Sequence, residues 1–277
     1  MKLGFIDYYL DEYHANNYPA WIKEASGGEI EVAYAYAKID SPTNGLTTAE
    51  WSAKYNIPII STIAELVEKS DGIIVLSPDN PEQHEELCQI PLQSGKCVYV
   101  DKTFAETKEI AARIFALAKK HNSPISSSSA LRFADEYQKI DRSQVENILS
   151  WGPGRIETYA IHQIEPMVAL MGPNVSKVMF TGTDTWPSFV CEYSDGRKAI
   201  ITHHGWDCPF GMSIGLKGGA TSVLTVESDF FKNCIADMVH FFRTGKASVA
   251  PEETIAVIAV IETATKAYKN PGTWVAI

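Results

Sequence analysis

His203, His204, Asp207 and Cys208 place several metal-ligand types in one short stretch of the 277-residue chain. Imidazole, carboxylate and thiolate are the groups that hold transition metals. That stretch reads as a strand, however, where neighbouring side chains point to opposite faces, so His203 and His204 are not expected to share an ion, and no metal site is expected. Trp151, Trp186 and Trp206 carry rings that can stack on a sugar or fill a core, and the sequence leaves both uses open. Cys88, Cys97, Cys191, Cys208 and Cys234 are odd in number and contain no C-x-x-C pair. They read as reduced packing thiols rather than a disulfide framework. Closest to the amino terminus, Asp7, Tyr8, Tyr9, Asp11 and Glu12 crowd acids and phenols directly behind a strand-like segment.

The elements around these residues decide what they can do. Strand-like segments at 2–7, 30–37, 57–60, 72–76, 97–100 and from 124 alternate with helical ones at 18–25, 47–55, 62–69, 81–93 and 106–121. Thr62 followed by Glu65 is a capping box, and the wholly apolar 72–76 suits a parallel strand covered on both faces. Strands separated by helices imply right-handed crossovers, hence a Rossmann-type doubly wound parallel sheet over residues 1–127. Residues 128–277 read as an α+β domain with a mostly antiparallel sheet. Helical stretches are expected up to 148 and at 162–171, and strands near 177–181, 188–193, 198–204 and 212–217. Ser194-Asp195-Gly196-Arg197 marks a hairpin turn, and helices at 230–243 and 252–268 close the chain.

In such sheets ligands sit beyond the carboxyl ends of the strands, which directs attention to the loops after Ile6, Ala37, Leu76 and Val100. A dinucleotide needs G-x-G-x-x-G after the first strand, so that its pyrophosphate can approach backbone N–H groups at a helix start. The segment from Ile6 to His14 contains no glycine. Asp7, Asp11 and Glu12 would set carboxylates beside the pyrophosphate, and Tyr8 and Tyr9 would fill the space it needs. Ala37 and Lys38 stand where an acidic residue often holds the ribose, with Asp40 following late. Binding of NAD or NADP is therefore expected to be weak or absent.

Composition narrows the partners. With 24 Lys and Arg against 34 Asp and Glu, the net charge of −10 gives no basic field for nucleic acid or anionic lipid. Apolar runs are too short to span a bilayer, and no secretory leader is visible, so a cytoplasmic protein acting on a small polar molecule is expected.

Motifs in register add a resemblance. Ser77-Pro78-Asp79-Asn80 with His84, the segment Gly95-Lys96-Cys97-Val98-Tyr99-Val100-Asp101-Lys102-Thr103, Arg132-Phe133, Ile161-His162 before Met167 to Gly172, and the ending through Gly245, Pro251-Glu252-Glu253 and Gly272-Thr273-Trp274-Val275 together resemble the Gfo/Idh/MocA family. Its members include glucose-fructose oxidoreductase and inositol dehydrogenase, which use NAD or NADP. The resemblance implies a sugar or polyol oxidoreductase with Lys102 and His162 as catalytic residues. It implies cofactor contacts at Ser77, Pro78, Asn80, His84 and Asp101, and substrate contacts at Arg132 and Thr158. A solvated lysine and a core histidine are the bland readings of Lys102 and His162. Thr158 stands where the family commonly has Asp, and Thr103 replaces the signature Pro. Only 29 residues separate Arg132 from His162, which implies a trimmed second domain with an altered version of the sheet surface the family commonly uses to form dimers; a homo-oligomer is among the expected partners. The alternative to an enzyme is a family-derived, non-catalytic protein that has lost nicotinamide binding and binds a small polar ligand or serves as a structural or regulatory subunit.

Overall fold

A computed structural model describes residues 1–277 apart from the side chain of Glu157. The chain forms two compact units. The first holds Met1–Ser128 together with Cys234–Pro251, and the second holds Ser129–Asn233 with Glu252–Ile277. The sequence reading placed 234–251 in the second domain; here that segment packs into the first.

The first unit runs β1 (Lys2–Asp7), α1 (Tyr13–Ala25), β2 (Glu31–Ala37), α2 (Thr48–Tyr55), α3 (Ile63–Lys69), β3 (Gly72–Val75), α4 (His84–Leu87), α5 (Gln89–Gln93), β4 (Cys97–Val100), α6 (Lys108–Lys120) and β5 (Ile125–Ser126). Its sheet has five strands in the order β2-β1-β3-β4-β5, and each pairing is parallel. The segment expected as a further strand at 57–60 makes only an isolated parallel bridge, Ile59 to Ala35. Pro58 lies inside it and has no N–H to give a ladder. Leu3, Phe5, Ile74 and Tyr99 from the strands pack with Tyr18, Ile22 and Trp51 from the helices in one buried core.

The second unit contains α7 (Asp135–Gln138), β6 (Val145–Pro153), α8 (Ile156–Met171), β7 (Val175–Phe180), β8 (Ser188–Tyr193), β9 (Lys198–His204), β10 (Gly211–Leu216) and β11 (Thr221–Thr225), then α9 (Phe230–Thr244), α10 (Pro251–Tyr268) and β12 (Trp274–Ala276). Seven strands form a sheet in the order β11-β10-β6-β9-β8-β7-β12, antiparallel except where β6 and β9 run together. From Cys234 onward α9 belongs to the first unit, where Ile235, Met238, Val239 and Phe242 join its core. A Cβ on Gly72 would lie 2.8 Å from the Phe242 ring, so the bare glycine in β3 is what admits that aromatic.

The helix expected to reach 148 is corrected: 145–153 is strand β6, central in the sheet and paired with both β9 and β10. A turn at Ala130–Phe133, α7 and a turn at Arg142–Gln144 precede it within the second unit. The Asp195-Gly196 hairpin forms as expected, with Gly196 at φ 89° and the Tyr193 N–H bonded to the Arg197 carbonyl at 2.9 Å.

Candidate active site

In the first unit, β1, β3 and β4 end in loops that bring Asp7, Ser77, Asp101 and Lys102 together, as parallel register requires. Asp7 is 1% exposed. Its Oδ1 accepts the Ser77 hydroxyl at 3.0 Å, while Oδ2 has no hydrogen-bond partner among the described residues. Ser77 adopts φ 76°, and its Oγ also accepts the Tyr8 N–H at 2.9 Å. Asp101 is fully buried; Oδ2 meets His14 Nδ1 and Oδ1 accepts the Lys102 N–H at 2.8 Å. The His14 ring stacks on Tyr18 at 4.7 Å.

Lys102 is 8% exposed and its Nζ lies 3.5 Å from both the Pro78 carbonyl and Asp79 Oδ1. The peptide that joins it to Thr103 is cis. Two residues expected at the cofactor instead serve the loops. His84 places Nδ1 3.0 Å from the Phe104 carbonyl and Nε2 2.5 Å from that of Leu76, so both ring nitrogens are committed to backbone. Asn80 donates to Glu82 at 2.8 Å.

Glu12 was read only as a repulsive carboxylate. In the structure it is the N-cap of α1, accepting the His14 N–H at 2.7 Å and the Ala15 N–H. Those are the helix-start donors that a dinucleotide pyrophosphate would use. The loop ahead of Glu12 is anchored as well: Leu10 enters the core, and the Tyr8 carbonyl accepts N–H groups of Lys38 and Ile39 at 3.1 and 2.9 Å. Asp40, the late candidate for the ribose, accepts the Thr48 N–H at 2.7 Å. The residues at the start of α1 therefore do not fit a pyrophosphate while Glu12 caps the helix.

Burial dominates the electrostatics of this cluster. It pushes the Glu12 carboxyl up to about 8, with Asp7 adding and the His14 charge opposing. Asp7 is raised well above the carboxylate range, again by burial first, with Ser77 opposing. Burial works to lower His14, but the charge and hydrogen bond of Asp101 outweigh it and the imidazole is raised. Burial thus favours the neutral carboxyls of Glu12 and Asp7, while the Asp101 carboxylate favours the charged imidazole of His14.

The second unit supplies His162, half-buried on α8. Its Nδ1 lies 2.8 Å from the hydroxyl of Ser129, which is itself fully buried. The Tyr159 ring stands edge-on to His162 at 5.0 Å. Arg132, expected to bind substrate, is 5% exposed and gives its guanidinium to Glu165 at 3.3 Å and to Glu253. This corrects its role to an internal staple, because both arms of the fork are used. Burial pushes Glu165 up to about 7 against the pull of Arg132. Thr158 is exposed. His203 is buried and His204 exposed, on opposite faces of β9; among the described residues, no three His, Cys, Asp or Glu side chains gather as a metal site. Nor, among the described residues, is any helix long and apolar enough to cross a membrane.

Residues 18–129 match the model of the GFO_IDH_MocA family, an oxidoreductase family with an NAD-binding Rossmann fold. Over these residues, less than half of the chain, the first unit is similar to the Gfo/Idh/MocA oxidoreductases. The matched residues begin past the glycine-free loop and include Lys102 and its flanking segment. No curated protein matches the sequence. Among solved structures, a probable dehydrogenase from Thermotoga maritima aligns with TM-score 0.80 and 13% identity over 100% of this chain and 98% of its own. GenD2 from gentamicin A biosynthesis, in complex with NAD, aligns at 0.76 and 14% over 100% and 96%. The UDP-N-acetylglucosamine 3-dehydrogenase GnnA from Acidithiobacillus ferrooxidans aligns at 0.77 and 13% over 96% and 97%. At these identities the likeness is one of fold, and it extends beyond the Gfo/Idh/MocA Rossmann unit to the whole chain.

Proposed function

We propose that this protein is an NAD(P)-dependent oxidoreductase of the Gfo/Idh/MocA type acting on a sugar, polyol or related secondary alcohol, with a weakened hold on its nicotinamide dinucleotide. The observation that carries the reading is the placement of Lys102. Its ammonium stands at the carboxyl edge of a parallel sheet that matches an NAD-binding family, largely withdrawn from water. A cation there can polarise a substrate oxygen. GenD2 is crystallised with NAD and GnnA is named as a dehydrogenase of a nucleotide sugar, and both support the same class of reaction.

His162 takes the hydroxyl proton in this scheme, since imidazole titrates near working pH. Lys102 holds the substrate oxygen as that proton leaves. The weak hold follows from Glu12, whose carboxylate must leave the start of α1 before a pyrophosphate can take its donors.

Turnover tests this directly. Purified protein is given NAD or NADP with a panel of polyols and sugars, and reduced nicotinamide is followed by absorbance. Expected is slow reduction that Lys102→Ala and His162→Ala each lower by roughly 100-fold or more. Reduction that survives both substitutions would remove these residues from the reaction. No reduction with any substrate would favour the non-catalytic alternative, for which the capped helix already speaks.

A further inference from the structure

The topology of the second unit collects several loops at one rim of its sheet. β6 and β9 run parallel, with Pro153 opposite His204 at their carboxyl ends. Ser188, at the start of antiparallel β8, lies opposite Thr202. The end of β7 pairs with the same start of β8. The turn after β6, the β7–β8 loop and the β9–β10 loop therefore emerge side by side, with the end of α10 beside them. Together they enclose a pocket of about 320 Å³ lined by Arg155, Asp184, Trp186, His204, Trp206 and Tyr268, among others.

Its lining differs from that of a packing defect. Trp186 is 50% exposed and Trp206 62% exposed, whereas core tryptophan in this chain, such as Trp51, is fully buried. Two large rings left open on one concavity mark a surface that expects a ligand. Both rings are held in place. Trp186 sits on a turn in which its N–H donates to Thr183 Oγ1 at 3.1 Å, and its ring lies 5.7 Å from that of His204. Trp206 meets the Tyr159 ring edge-on at 4.8 Å. Tyr159 is pinned in turn on Gly154, where a Cβ would come within 2.6 Å of its ring. Arg155 is exposed and makes no ion pair among the described residues, and Asp184 accepts the Tyr268 hydroxyl at 2.9 Å.

We propose that this pocket is a substrate subsite for a pyranose ring carrying an anionic substituent. The apolar face of the sugar lies on Trp206 and Trp186, the phosphate or carboxylate on the Arg155 fork, and hydroxyls on His204 and Asp184. A guanidinium matches the planar geometry of either anion. The volume suits one ring with its substituent. Tyr159 touches Trp206 on one side and His162 on the other, so a ligand seated here extends its remaining carbinol toward His162. This last point rests on the oxidoreductase reading; the pocket itself does not.

The test titrates the full chain, without nucleotide, with glucose-6-phosphate, glucuronate and glucose while following tryptophan fluorescence. Saturable quenching by one or both anionic sugars is expected, with glucose at least about tenfold weaker. The phosphate and carboxylate arms identify which anion the site prefers. Trp206→Ala should weaken the anionic sugar by about tenfold or more, and Arg155→Ala should abolish its advantage over glucose. Both positions are exposed, so folding is preserved, and thermal melts confirm that. Absence of saturable quenching with all three sugars, or unchanged affinities in both variants, overturns the proposal. Sugar binding without nucleotide turnover keeps the subsite and rejects the oxidoreductase reading.

Discussion

A neutral hydroxyl at 2.8 Å can fix which imidazole nitrogen carries a proton, but it cannot stabilise an imidazolium as a carboxylate does. Ser129 stands in that position toward His162, where the family pattern would supply Asp in place of Thr158. Ser129→Ala should then lower kcat/KM by roughly two- to tenfold, the worth of one neutral hydrogen bond of about 0.5–1.5 kcal/mol. The acidic limb of the pH–rate profile, where the base is lost to protonation, should move as well, which a purely structural change would leave in place. An unaltered profile would make Ser129 a packing residue. Lys102 and His162 stand out in the sequence because the motifs around them resemble those of a known family. Ser129 does not, since its partner lies 33 positions away and nothing local in a serine run distinguishes it. Arg132 was misread for the same reason: its partners Glu165 and Glu253 come from helices distant in sequence.

At the scale of elements, strand alternation and hairpin chemistry were readable from local sequence, and β8 and β9 fall where their patterns put them. The misplaced elements have tertiary causes. α1 is expected only over 18–25. It starts at Tyr13 instead, since Glu12 caps it and the helix tolerates the proline inside. That earlier start is what puts Glu12 on the phosphate donors. The helix expected up to 148 gives way to β6 from Val145, because that strand's identity comes from pairing on both sides. α8, α10 and the turn at Ala130–Phe133 are tied together by Arg132 between Glu165 and Glu253. Breaking a buried pair by removing one partner costs about 3–5 kcal/mol. Arg132→Met should therefore lower the denaturant midpoint by that measure above neutral pH. The loss should shrink in acid, where Glu165, already raised to about 7, takes a proton. A variant as stable as the parent across pH would contradict the staple.

For the molecule as a whole, the buried acids set the pH dependence of stability. Glu12 at about 8 and Glu165 at about 7 lie above the unfolded carboxylate range, and His14 is raised above its ordinary value. In each case the folded chain holds a proton that the unfolded chain has released, so stability is lost as pH rises from about 5 to 8. Glu136 acts oppositely: burial pushes it up, but the Ser228 hydroxyl and the N–H groups of Glu227 and Ser228 hold it at about 2, so its contribution fades as acid protonates it. Thermal melts should therefore peak near about pH 5, and a Tm that rises steadily to pH 8 would contradict the assignment. The same buried acids bear on the cofactor, since Glu12 both titrates in this range and occupies the start of α1. The most direct test is titration of the parent chain and a Glu12→Gly variant with NADH and NADPH, read by nicotinamide fluorescence. Expected is saturable binding weaker than micromolar in the parent and roughly tenfold tighter in the variant, where the His14 and Ala15 N–H groups are freed for the pyrophosphate. No saturable binding of either nucleotide to either protein would contradict the proposed nicotinamide-dependent function.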